Sequence, residues 1–354
     1  MTAKSPVRER MRARAQRGFT LIEMMVGITL GLIVLASVST VFVNVSSNRR
    51  DMERTGRQIE NGRFAVQLLA DDIVNAGYFG EFDPRDVGPP TTRPDPCSTS
   101  AADMKNMVLM HVQGYPAGAT MPSCISDVRT GTAVIAIRRA ATCIAGDANC
   151  DVATAGQIYF QSTLCNTELA DVPFSTTYVA AALPSSGSAP FTLHKHDCAA
   201  AASLRSYVMH IYFIANNNDP GDGVPTLKRA ELGANGTFSI VPLVEGIENL
   251  QFEYGLDTNG DGMPDAVSAD PGTYNGCAAD PCYIANWLNA MTAKIHLLSR
   301  SIDATPGYTD TKTYDLGLQA DGTQRTDGPF NDGFKRHAYT GTIRMNNPAG
   351  RRET

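Results

Sequence analysis

An uninterrupted apolar segment follows a basic leader at the start of the chain. Residues 24–45 contain no Asp, Glu, Lys or Arg, and 22 residues of α-helix span about 33 Å, one bilayer core. Residues 1–18 hold six basic residues and one acidic residue. The positive-inside rule therefore predicts a cytoplasmic leader and a chain that continues across the membrane. Any fold for this sequence has to begin with a membrane helix.

The rest of the chain is acidic. The formal net charge is −6 for all 354 residues, and the leader contributes +5, so the remainder carries −11. Nucleic-acid binding requires a basic face that displaces counterions from phosphates. The charge therefore argues against a nucleic-acid partner.

Eight cysteines all lie beyond the apolar segment, and none forms a Cys-x-x-Cys motif of a zinc or redox site. An even number beyond a membrane helix predicts disulfides in an oxidising compartment. The pairs close in sequence, Cys143/Cys150 and Cys277/Cys282, are expected to form local bridges. The sequence leaves the pairing of the other four open: Cys97, Cys124, Cys165 and Cys198.

The start of the apolar segment contains an unexpected carboxylate, Glu23. A charge at the centre of a bilayer costs about 2.5–3.5 kcal/mol even on lenient insertion scales. A secretory signal peptide would place small residues after its apolar run, whereas here Gly18 precedes it. An ordinary signal peptide or anchor explains neither Gly18-Phe19 nor Glu23.

Residues 18–23, Gly-Phe-Thr-Leu-Ile-Glu, behind a short basic leader resemble the class III signal of type IV pilins and pseudopilins. The resemblance implies that a prepilin peptidase cleaves between Gly18 and Phe19 on the cytoplasmic side, and that the Phe19 amine is then methylated. It also implies that Glu23, the fifth mature residue, neutralises the terminal amine of a neighbouring subunit during assembly. A surface carboxylate near the membrane face is the alternative interpretation of Glu23.

The helix is expected to continue beyond the membrane. Met52, Ile59, Val66 and Ile73 recur every seven residues beside a charged face, which predicts an amphipathic helix as far as Ala76. Gly77 is placed to end it, and Gly56 and Gly62 are weak points. The expected division is a leader at 1–18, a transmembrane and assembly helix at 19–45, its amphipathic continuation at 46–77 and a β-rich periplasmic head at 78–354.

Short apolar alternations predict an antiparallel β-rich head. One of them, Leu250–Leu256, alternates apolar with polar residues and is expected to be half-buried. Residues 216–225 are rich in Asn, Asp, Gly and Pro and are expected to join a hairpin. The predicted fold class is α+β and pilin-like, with a long N-terminal helix packed on an antiparallel sheet that carries loop insertions. The predicted strands are 134–138, 157–161, 207–215, 238–244, 250–256 and 294–298.

Two later segments resemble the PilW-type minor pilins: residues 244–265, VEGIENLQFEYGLDTNGDGMPD, and residues 337–347, HAYTGTIRMNN. The resemblance implies a subunit that primes type IV pilus assembly near the tip. Its partners would be other minor pilins, the major pilin, the prepilin peptidase and the assembly platform of the inner membrane. The alternatives are a type II secretion pseudopilin and a membrane-anchored adhesin or periplasmic binding head. The resemblance does not extend to the insertions between residues 83 and 205.

The loop after Leu256 has oxygen-bearing residues in the spacing of a calcium loop. The first, third, fifth and ninth positions are Asp257, Asn259, Asp261 and Asp265, and Met263 offers a carbonyl at the seventh. The twelfth position is Ser, not the usual bidentate Glu. The alternative is a turn whose side chains bind their own backbone. Calcium is the one cofactor considered.

No catalytic motif is found: the sequence has no Gly-x-Ser-x-Gly elbow, no His-Glu-x-x-His and no phosphate-binding glycine loop. An enzymatic role is therefore not expected.

Overall fold

A long helix, α1 (Leu21–Val74), begins the computed structural model, which describes residues 18–170 and 172–353. The chain divides into two units, Met1–Glu53 and Arg54–Thr354. In the first unit the apolar side chains of α1 are solvent-exposed, from Leu21 at 78% to Val45 at 61%. Among the described residues, α1 alone is long and apolar enough to cross a membrane. The leader lies outside the described residues apart from Gly18.

The second unit contains the rest of α1, four shorter helices and thirteen strands among its described residues. The helices are α2 (Ala101–Met107), α3 (Asn166–Leu169), α4 (Asp280–Leu288) and α5 (Asn346–Gly350). The strands are β1 (Val112–Tyr115), β2 (Val134–Ala140), β3 (Ile158–Ser162), β4 (Tyr178–Ala182), β5 (Arg205–Ala215), β6 (Thr226–Leu232), β7 (Phe238–Glu245), β8 (Ile247–Leu256), β9 (Ala266–Ser268), β10 (Ala290–Arg300), β11 (Tyr314–Leu318), β12 (Gln324–Asp327) and β13 (Arg336–Arg344).

The strands form three antiparallel sheets. The seven-stranded sheet has the order β1-β2-β5-β3-β4, and β6 pairs with both β5 and β7. The four-stranded sheet has the order β13-β10-β8-β9, and β11 pairs with β12 alone. The long N-terminal helix followed by an antiparallel β-sheet head confirms the expected fold class. Loop 216–225 joins β5 to β6 as the expected hairpin.

The second half of α1 packs on both large sheets. Gln58 Nε2 donates to the Ser299 carbonyl of β10 at 3.1 Å, and Leu69 lies in a core cluster shared with Trp287 of α4. The buried face differs in part from the predicted one, since Ile59 is 39% exposed. The residues that α1 buries are Gln58, Gly62, Ala65, Leu69, Asp72 and Ile73.

Gly62, one of the two glycines expected to weaken the helix, is a packing site. A Cβ atom there would lie 2.2 Å from the Tyr339 ring of β13, whereas a Cβ at Gly56 would meet nothing within 4 Å. The Tyr339 hydroxyl donates to the Ile59 carbonyl at 3.3 Å. Glycine at position 62 therefore allows β13 to approach the helix closely.

The C-terminal end of α1 is capped by side chains from α5 and the residue after it. The helix stops at Val74, and Gly77 adopts a φ of 71°, as helix-terminating glycines do. Asn347 Nδ2 donates to the Ala76 carbonyl at 3.3 Å, and Arg351 Nη1 donates to the Gly77 carbonyl at 3.0 Å. Arg351 thus supplies a cation at the negative end of the helix dipole, where α1 itself has no basic residue in its last turn.

Strand β8 is buried along its whole length, so the expectation of a half-buried strand was wrong. Glu253 is only 6% exposed, and its carboxylate lies 3.2 Å from Lys294 Nζ and accepts from the Leu318 backbone N–H at 3.1 Å. Strand β11, which contributes Leu318, comes from a segment distant in sequence. It covers the polar face that the alternation pattern assigned to solvent.

Candidate functional site

The pilin-type motif stands at the start of α1. Phe19 is 88% exposed, and Thr20 immediately precedes the first helical residue, Leu21. The apolar residues that follow are not covered by any described part of this chain, because none of residues 24–45 is buried. Such a surface requires lipid or other helices to cover it.

Glu23 and Thr20 form a capping box, in which two residues three apart satisfy each other's backbone N–H groups. Glu23 Oε2 accepts hydrogen bonds from the Thr20 backbone N–H at 3.1 Å and from its hydroxyl at 3.0 Å. In return, the Glu23 backbone N–H donates to Thr20 Oγ1 at 3.3 Å. Within residues 18–170 and 172–353, the carboxylate therefore has Thr20 as its partner and no cation.

The sequence contained the signal for this arrangement, which the sequence analysis missed. Ser or Thr followed three residues later by Glu, ahead of an apolar run, is the pattern of a capping box. Thr20 satisfies it with Glu23. The motif residues thus have a structural role in the single chain beside the assembly role that the family resemblance implies.

The loop proposed for calcium is arranged as a turn. Asp257 accepts hydrogen bonds from the Gly260 and Gly262 backbone N–H groups at 2.6 and 2.9 Å. Asp261 accepts from the Met263 backbone N–H at 2.8 Å. Asp265 accepts from the Thr258 backbone N–H at 3.0 Å and from Asn259 Nδ2 at 3.1 Å. These carboxylates therefore bind groups of their own loop, and Met263 is exposed.

Arg352 adds a cation to this loop that the sequence analysis did not consider. Its Nη1 lies 3.0 Å from Asp257 Oδ2, and its Nη2 donates to the Leu288 carbonyl at 3.0 Å. Burial would raise the pKa of Asp257, but the hydrogen bonds from Arg352 and the two glycines lower it. Among the described residues, no group of three or more His, Cys, Asp or Glu side chains is arranged to hold a metal ion. A calcium ion would have to displace Arg352, so the geometry favours the turn.

A buried charge cluster fastens α1 to the seven-stranded sheet. Asp72, 6% exposed, accepts from His210 Nδ1 at 2.6 Å and from the Tyr212 hydroxyl at 2.9 Å, and Arg139 Nε lies 2.8 Å away. Burial would raise the pKa of Asp72, but the bond and charge of His210 and the charge of Arg139 hold it far below its usual range. This carboxylate is ionised and orients the helix on β2 and β5.

All eight cysteines are in disulfides. Cys143 is bonded to Cys150, and Cys277 to Cys282, which are the two local pairs favoured by their spacing. The pairs that the sequence left open are Cys97–Cys124 and Cys165–Cys198.

Comparisons with known proteins match two parts of the chain, the N-terminal segment and the C-terminal part of the head. The prokaryotic N-terminal methylation motif matches residues 13–39. The family described as type IV pilus-assembly protein W matches residues 211–347, from β5 to α5. No curated protein and no solved structure matches the chain.

A methylation motif on an exposed apolar helix, ahead of an antiparallel sheet head, defines a type IV pilin. Such a chain is a structural component anchored in a membrane and associated with a pilus. Within that class, the match of residues 211–347 to the family described as type IV pilus-assembly protein W supports a minor pilin of the PilW type.

Proposed function

We propose that this pilin primes assembly of the type IV pilus and is incorporated near its tip. The observation that carries the proposal is Glu23: a carboxylate on an apolar, uncovered helix whose one partner among the described residues is Thr20. A charge in that setting is stabilised when a cation comes beside it, and the methylated amine of a neighbouring pilin is such a cation. Glu23 would then set the register between subunits.

Several steps of this pathway belong to the proposal. The peptidase cleaves between Gly18 and Phe19, Phe19 is methylated, and the head lies in the periplasm before the subunit enters the pilus. The partners are other minor pilins, the major pilin and the assembly platform. The second unit, 301 residues from Arg54 to Thr354, suits a tip position, because a terminal subunit has no further subunit beyond it to accommodate.

The proposal is tested by Glu23→Val beside Glu23→Gln. Losing the charge removes about 2.5–3.5 kcal/mol of penalty for the single helix in lipid, so both variants should insert and accumulate normally. Both leave the neighbour's amine unpaired, which costs about 3–5 kcal/mol when buried. Both should therefore co-purify poorly with other minor pilins and restore few pili to a deletion strain.

The pair of variants separates the two roles of Glu23. Gln keeps an oxygen that accepts from the Thr20 N–H, so it preserves the capping box while losing the charge. If Glu23→Gln restores piliation and Glu23→Val does not, capping is the function and the registry mechanism falls. A deletion strain that keeps its pili and twitching but loses secreted enzymes would instead assign the chain to type II secretion.

A further inference from the structure

The segment without a recognised pattern, residues 83–205, builds one side of a cleft in the head. A cavity of about 500 Å³ lies between residues 93–96, residues 119–123 and strand β1, with Asp270 and Tyr283 opposite. A second cavity of about 240 Å³ adjoins it, since Tyr115 and Pro116 line both. The larger one is within the range of small-molecule sites, about 300–1,000 Å³.

The walls of this cleft are rigid. The Cys97–Cys124 disulfide ties the two loops together, and Gln113 Nε2 of β1 donates to the Pro94 carbonyl at 3.2 Å. Four prolines also line the larger cavity: Pro94, Pro96, Pro116 and Pro122. A site that is ordered before its ligand arrives loses little entropy on binding.

The charges around the cleft nearly cancel. Arg93 lies 2.7 Å from Asp280 and stacks 4.1 Å above the Tyr283 ring. Arg138 is fully buried behind the cleft and donates to Gln113 Oε1 at 2.7 Å, and within the described part of the chain no carboxylate forms an ion pair with it. Asp95 and Asp270 line the larger cavity, so three carboxylates stand against two cations. A site with so little net charge disfavours both polyanions and polycations.

Polar groups without protein partners face this space. Tyr115, Thr120 and Ser123 line the larger cavity, and among the described residues no partner is found for their hydroxyls; Tyr115 is half-buried, and Thr120 and Ser123 are exposed at the mouth. Hydroxyl groups both donate and accept, so such a lining matches a ligand that is itself rich in hydroxyls.

We propose that this cleft binds a neutral oligosaccharide. Its rigid walls, low net charge and unpartnered hydroxyls fit an uncharged polyhydroxyl chain better than a nucleic acid or a charged peptide. This binding does not depend on the role proposed above in pilus priming.

The test uses the full chain in a detergent without a sugar headgroup, because alkyl glycosides would compete for the site. The probes are an array of neutral di- to tetrasaccharides beside sialylated and sulfated ones, with a panel of proline-rich and charged peptides. We expect binding to neutral saccharides. The double variant Tyr115→Phe/Thr120→Val removes two hydroxyls and should weaken it roughly tenfold.

The matched control is Tyr159→Phe in β3. It removes a hydroxyl that accepts a hydrogen bond from the Thr154 backbone N–H, and Tyr159 lines neither cavity. It should bind as the unmutated chain does, and the melting temperatures of all variants report whether they fold. Three results would each overturn the proposal: no neutral saccharide bound at millimolar concentration, equal binding by the folded double variant, or preferential binding of a peptide.

Discussion

At the scale of single residues, Gly18 is the position where adding a methyl group should most affect proteolytic processing. Gly18→Ala places a side chain at the proposed scissile bond and should block processing, so mass spectrometry should find residues 1–18 retained. Gly31→Ala is the matched control, because a Cβ at either glycine meets nothing within 4 Å in the folded chain. A normal N-methylated Phe19 terminus on the Gly18→Ala protein would refute the cleavage assignment.

The Asp257 loop gives a second residue-scale prediction. From the sequence we expect calcium to raise the melting temperature, and Asp257→Ala/Asp261→Ala to remove that rise. The structure adds that Arg352→Gln should enlarge the rise, because it removes the cation 3.0 Å from Asp257 that calcium must displace. Identical melting in calcium and in chelator, for the unmutated chain and for Arg352→Gln, would leave the turn interpretation standing.

At the scale of elements, two glycines of α1 make opposite predictions. Gly56→Ala should raise the free energy of unfolding by about 0.5–1 kcal/mol, because alanine favours helix and its Cβ meets open space. Gly62→Ala should lower it by about 1–3 kcal/mol, since the Tyr339 ring must move away. Denaturant unfolding of the full chain in detergent measures both.

A combined variant tests the cause of that difference. Tyr339→Ala removes the ring that Gly62→Ala would displace, so the two changes together should cost less than the sum of their separate costs. Strict additivity would mean that the close approach of β13 is not why position 62 is glycine.

Elements long enough to show a regular hydrophobic pattern could be predicted from the sequence. Elements held in place by residues distant in sequence could not. All six predicted strands are present as β2, β3, β5, β7, β8 and β10, with β3 starting one residue later than predicted. Strand β9 was missed, because a three-residue strand has no period of its own and exists only through its register with β8. The Asp72–His210 contact joins residues 138 apart, and no local pattern indicates such a pair.

The roles of the N-terminal motif residues, in contrast, could be proposed from the sequence alone. Gly18, Phe19 and Glu23 are recognised by enzymes and neighbours as a short linear pattern, so the sequence alone was enough to propose their roles. The cleft around Tyr115 could not be anticipated, because its walls come from segments as far apart as residues 93 and 283 and meet only in the folded head.

At the scale of the whole molecule, His111 makes stability depend on pH. Its Nε2 lies 2.7 Å from the Ala290 carbonyl, and burial lowers its pKa to about 4 from 6.5. Between these values the unfolded chain binds the proton and the folded chain does not. The free energy of unfolding should therefore fall by about 3 kcal/mol as pH drops from 6.5 to 4.

The variant His111→Gln should flatten this slope, because Gln can donate to the same carbonyl but does not titrate. Its control is His196→Gln, whose ring is 76% exposed and whose loss should leave the slope unchanged. Melting temperatures across this pH range report the result. An equal slope in His111→Gln and the unmutated chain would mean that other groups cause the acid sensitivity.

The cap on α1 has a consequence for the timing of synthesis. The carbonyl of Gly77 receives its hydrogen bond from Arg351, which leaves the ribosome 274 residues later. At about 5–20 residues per second, that delay is roughly 15–55 s. Throughout it, the Gly77 carbonyl lacks the hydrogen bond from Arg351, so this contact at the end of α1 forms only after β13 has been synthesised.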